Sequence, residues 1–167
     1  AARILVVTHV KELIDNNHKS LKKIWPRSPA GIYSAGLKRR QSNMQVTFCG
    51  IGSVAKRAEE FGHIDLVLVD ECHTISNKAD TQYRGFFKDL AAINERLIVT
   101  GLTATPYRLG MGHLLEGGLF ERIIYDGCSF DAINRMIEEG YLANLVPYTT
   151  GVNIDTASIG CRGGEFI

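Results

Sequence analysis

At 167 residues the chain is long enough for one well-buried core and too short for two ordinary domains. With 45% hydrophobic and 22% charged residues, no apolar run long enough to cross a bilayer, and a start, AARILVV, without a signal peptide's charged leader or cleavage site, a folded cytoplasmic protein is expected, with no membrane partner. The net charge of +1 points to no particular partner, and four scattered cysteines without a CxxC pair indicate neither a zinc ribbon nor a disulfide framework.

In chain order, the apolar run Arg3–Val7 predicts a strand, and Val10, Leu13, Ile14, Leu21 and Ile24 recur at near-helical spacing behind it. Pro26 and Pro29 mark a turn, Gly31–Ala35 a short extended piece, and Lys38, Arg39 and Arg40 a hairpin or loop. Gln45–Cys49 predicts another strand, after which Ser53 is expected to cap a helix through Val54, Ala58 and Phe61. Ile64–Val69 is apolar at nearly every position, as suits a strand covered on both faces of a parallel sheet. A helix over about Thr81–Asn94 and a strand over Arg96–Thr100 come next. Ile123–Tyr125 is a candidate strand, Ser129 a cap for a helix over Phe130–Glu139 that Gly140 stops, and Leu145–Thr149 an extended segment. Strands alternating with helices predict a parallel sheet with right-handed crossovers and a three-layer α/β/α domain. In such a sheet the strand exits share one edge, where ligands bind, and here the exits carry Thr8-His9, Ser53, Asp70-Glu71 with His73, and Thr103 with Thr105.

Two features carry chemistry. From Asn16 to Ala58 there is no Asp or Glu, while Lys19, Lys22, Lys23, Arg27, Lys38, Arg39, Arg40, Lys56 and Arg57 all fall there. Such a stretch is either a phosphate-facing side or solvated surface charge. The second is Asp70-Glu71-Cys72-His73 at the end of the apolar strand. Adjacent carboxylates leaving a sheet suit phosphoryl transfer, one holding a divalent cation and the other orienting or deprotonating the attacking water.

VLVDECH resembles the DExH form of motif II, the Walker B element, of superfamily II helicases; GLTATPYRLG resembles their motif III, and ILVVTHVKEL their motif Ia. THVKEL, YSAGLKR, SVAK and the later EEGYL are similar to the RadD-like branch of DNA repair helicases, near the Res subunits of restriction enzymes. The resemblance implies a RecA-like, P-loop NTPase-type fold and an ATP-dependent nucleic-acid motor, with ATP and Mg²⁺ as cofactors and DNA as partner, RNA remaining open. It implies Asp70 as the Mg²⁺ ligand through water, Glu71 as catalytic base and His73 as the link between nucleotide and motif III. Thr103 and Thr105 would couple hydrolysis to movement, and Thr8, His9 and Ser53 would contact nucleic acid beside Lys38, Arg39 and Arg40.

The same family binds ATP phosphates with GxxxxGK[ST], and no such string occurs in these residues. The expectation is therefore a partial first RecA-like domain over residues 1–150, lacking its N-terminal P-loop unit. Residues 151–167 would be a tail leading towards a second RecA-like domain of the parent chain, and these residues alone would not hydrolyse ATP. The alternative is a non-catalytic nucleic-acid-binding module of RecA-like shape. A metal hydrolase built on Asp70, Glu71, Cys72 and His73 is disfavoured, because four adjacent residues cannot wrap one ion.

Overall fold

The computed structural model describes residues 1–76, 81–108, 112–144 and 146, with short strands at 161–162 and 165–166. Its centre is a six-stranded sheet of β1 (Ile4–Thr8), β2 (Ala30–Ser34), β3 (Arg39–Arg40), β4 (Val46–Gly50), β5 (Leu66–Asp70) and β6 (Ile98–Leu102), in the order β3-β2-β4-β1-β5-β6. Every pairing is parallel except β2 with β3, which form an antiparallel hairpin.

Period-two alternation distributes the core between two faces. Ile32 and Phe48 point to one side, where helix α1 (Lys11–Ile24) covers them with Ile14 and Leu21. Leu5, Val7, Cys49, Val67 and Val69 point to the other, beneath α2 (Ile51–Val54), a 3-10 turn at Ala58–Glu60 and α3 (Gln82–Ile93). There Phe86 and Leu90 of α3 are fully buried, and Phe61 meets Phe86 edge-on at 6.2 Å. This is the three-layer α/β/α arrangement. Thr81 caps α3, its hydroxyl accepting from the Arg84 N–H, and Asn94 closes it. Ser129 likewise caps α4 (Phe130–Glu138), and Gly140 comes after it with φ +78°. Among the described residues no helix is long and apolar enough to cross a membrane.

Three expectations are corrected. The helix after β4 begins at Ile51 with Gly50 as its N-cap, so Ser53 lies inside it, and it ends at Val54 because Arg57 leaves helical geometry at φ −138°. Ile51, Val54, Ala58 and Phe61 are all buried, so two short pieces present the stripe that one helix would. The last strand of the sheet starts two residues later than Arg96, because Asn94 turns the chain by accepting from the Arg96 N–H. Among the described residues Ile123–Tyr125 pairs with no strand, and its side chains are exposed. The extended segment expected over Leu145–Thr149 falls outside the described residues except for Val146, which is exposed.

Registers align the strand ends. Thr8 pairs with Gly50 and Asp70 with Leu102, while Val7 opposite Val69 and Tyr33 opposite Cys49 carry the row across to Ser34 and its partner Arg39. Gly101 on β6 makes room for the turn after β5, since a Cβ there would sit 2.5 Å from Cys72 Sγ and 2.7 Å from Phe120 Cζ. Gly101→Ala should therefore destabilise the protein by about 1–3 kcal/mol, as overpacking does. Urea denaturation measures this, and a change of only a few tenths of a kcal/mol would show that Cys72 and Phe120 yield freely.

Candidate functional site

A straight strand would send Asp70 and Glu71 to opposite faces of the sheet. Instead Glu71 adopts the left-handed conformation, φ 53° and ψ 46°, which costs a residue with a Cβ roughly 1–2 kcal/mol. Thr74 holds this bend twice over, its backbone N–H and its hydroxyl both donating to the Glu71 carbonyl at 3.0 and 2.8 Å. The chain thus turns at once into a 3-10 turn, Cys72–Thr74, with Cys72 buried beneath it.

The two acids acquire different company. Asp70 accepts the Glu71 N–H on Oδ1 at 3.1 Å and the Asn17 side-chain amide on Oδ2 at 3.0 Å. Glu71 Oε2 lies 3.3 Å from His73 Nδ1, and the same ring nitrogen lies 2.8 Å from Thr103 Oγ1 at the end of β6. With its proton on Nδ1 the imidazole donates into this pair of oxygens. Thr103 Oγ1 in turn accepts the Thr105 N–H at 3.0 Å. Glu71, His73 and Thr103 are therefore tied side chain to side chain, whereas Thr105 enters through its backbone. Burial pushes the Cys72 thiol up to about 11, so at neutral pH it stays protonated. Among the described residues no three His, Cys, Asp or Glu side chains gather to hold a metal.

The nucleic-acid candidates divide. Thr8 is only 1% exposed and its hydroxyl accepts the Val10 N–H at 3.4 Å, so its side chain is spent on the corner between β1 and α1. His9 is exposed, with Nδ1 3.4 Å from Thr74 Oγ1. Ser53 Oγ accepts the Ala35 N–H at 3.0 Å, fastening the β2–β3 turn to α2. Lys38, at φ 54°, and Arg39 and Arg40 lie on the outer edge of the sheet, all three exposed. Four strand spacings of about 4.8 Å separate that edge from β5, roughly 19 Å. Of the remaining basic residues, Lys19 pairs with Asp15 and Arg57 with Glu60. Sequence reading missed Asn17 and Thr74; the signal available for Asn17 was a polar residue on the sheet-facing stripe of α1, between Ile14 and Leu21.

The sheet is six-stranded and mostly parallel, the Asp70–His73 turn meets the Thr103–Thr105 loop at its strand ends, and the domain is of the RecA-like superfamily II helicase/ATPase class. The sequence matches the family described as type III restriction enzyme, res subunit, over residues 1–108, and the chain belongs to that family. Among solved structures it is similar to the Sulfolobus solfataricus SWI2/SNF2 ATPase core in complex with dsDNA, at 14% identity and a TM-score of 0.45. That likeness covers 63% of this chain, which spans 21% of the other. No curated protein matches it.

Proposed function

We propose that these residues form part of the first motor domain of a DNA-stimulated ATPase, with hydrolysis chemistry and nucleic-acid contacts at one edge of the sheet. The observation that carries this reading is the chain of side-chain contacts from Glu71 through His73 to Thr103, on the same row of strand ends as the basic edge. Glu71 is the group that orients or deprotonates the attacking water. His73 reports its position to the motif III loop, where Thr103 and Thr105 pass any shift to the segment beyond. The exposed His9 and the basic edge at Lys38–Arg40 face the phosphodiester backbone, with Ser53 holding the turn that carries Lys38.

Asp70 fits a role toward Mg²⁺, because each of its oxygens accepts one hydrogen bond and keeps acceptor capacity, and because Mg²⁺ is commonly held by one or two carboxylates, waters and substrate phosphates. Bound there through water, the ion would neutralise charge developing on the phosphates.

No GxxxxGK[ST] occurs in the 167 residues, so the phosphate cradle of this motor is supplied from elsewhere in the protein, and residues 1–150 are a partial domain followed by a tail towards the second RecA-like unit. The outer side of β6 is compatible with this. Among the described residues it pairs only with β5, and Ile98 and Leu102 are 60% and 52% exposed there. The repair or restriction setting rests on resemblance alone.

Three measurements test this reading. In the intact protein, Glu71→Gln should retain ATP binding while turnover falls at least about a hundredfold, the scale of lost general-base help; near-normal turnover would overturn the role of Glu71, and an unmodified protein without turnover would leave the binding-module alternative standing. Replacing Lys38, Arg39 and Arg40 with Ala should weaken DNA binding across all sequences and flatten its salt dependence. An unchanged slope would make them edge charges that only deter strand-to-strand aggregation. Calorimetry on these 167 residues alone should detect no Mg-ATP binding tighter than about millimolar, because without the loop's N–H groups and Lys the acids offer the nucleotide only negative charge. A micromolar constant would place a phosphate site within them.

A further inference from the structure

We infer that Asn17 is a positioning residue for Asp70, donated from α1 to hold the carboxylate in the orientation in which it meets a hydrated divalent cation. The inference rests on the ATPase reading above and adds a residue to it.

On α1 the sheet-facing stripe is Ile14, Asn17, His18 and Leu21, at the i, i+3, i+4, i+7 spacing of a buried face. Two of the four are polar, and each needs a reason. His18 has an apolar one, since its ring stands edge-on to Phe48 with centroids 5.8 Å apart and burial lowers its pKa towards the neutral form. The Asn17 amide reaches across 53 residues of sequence to Asp70 Oδ2 at 3.0 Å. With the Glu71 N–H already on Oδ1 at 3.1 Å, both oxygens of Asp70 are pinned from the protein side and both rotations of the carboxylate are set. An uncharged donor suits this task. Lys or Arg at position 17 would also donate, but would neutralise Asp70 and compete with the cation for it. An amide orients the carboxylate and leaves its charge available, the arrangement by which outer groups tune metal-binding ligands.

A merely structural Asn17 would matter to folding and not to metal. In the intact protein, Asn17→Leu keeps a side chain of similar length and removes the donor, Asn17→Ala removes it in a helix-favouring residue, and Asn17→Gln restores a donor on a longer arm. We expect the Leu and Ala variants to raise the Mg²⁺ concentration for half-maximal ATP turnover roughly tenfold or more. They should weaken Mn²⁺ binding in the presence of a non-hydrolysable nucleotide, read by electron paramagnetic resonance, to a similar extent, with little change in thermal midpoint. Gln should recover part of both losses. Wild-type Mn²⁺ affinity in the Leu and Ala variants, or a loss that tracks only their thermal midpoints, overturns the role of Asn17 and leaves the ATPase reading intact. An unmodified protein with neither Mg²⁺-dependent turnover nor Mn²⁺–nucleotide binding overturns both.

Discussion

Parallel pairing of β1 with both β4 and β5 is the constraint on which the rest of this molecule depends. A parallel strand cannot return through a tight turn, so each must be followed by a crossover before the next begins at the same end. Five strands in consecutive positions, β2, β4, β1, β5 and β6, therefore finish in one row. The site residues are far apart in sequence, and register assembles them. Burial enforces that register: Leu5, Val7, Val67 and Val69 are fully enclosed, and a one-residue slip of β1 or β5 would exchange them with residues of the opposite face.

The row also gives the site a direction. The Asp70 and Glu71 carboxylates lie towards the β6 side and exposed guanidinium groups on the β3 edge, with the β1–α1 corner between them. That corner contributes to the acidic end twice, through exposed His9 beside Thr74 and through Asn17 on Asp70.

Much of this was legible in the sequence because it stems from local pattern. The apolar run ending in Asp70, the capped helix between Thr81 and Asn94, and the hydroxyl-rich turn at Thr103 are each announced by residues within one element. What stayed hidden depends on contacts between elements. Thr8 reads as a polar strand-end residue and turns out buried, because the corner above it consumes its hydroxyl. Val54, Ala58 and Phe61 fit one helical stripe equally well whether the helix is whole or broken at Arg57. The β6 start, two residues late, depends on where Asn94 closes the preceding turn. Family resemblance supplied roles for Asp70, Glu71 and His73, and the structure adds the hydrogen bonds that surround them.

The left-handed backbone of Glu71 has a consequence for any attempt to improve this protein by selection. Glycine meets that φ without steric penalty, and asparagine with less than glutamate, so the residue that makes the fold most comfortable at this position is not the one the proposed chemistry calls for. Random variants ranked only by heat resistance or soluble yield would drift towards Glu71→Gly or Glu71→Asn and lose the carboxylate while gaining in rank. Thr74, which clamps the same carbonyl with two donors, sets how strong that pull is. The acidic turn is thus a point where evolvability towards robustness and retention of the carboxylate run in opposite directions.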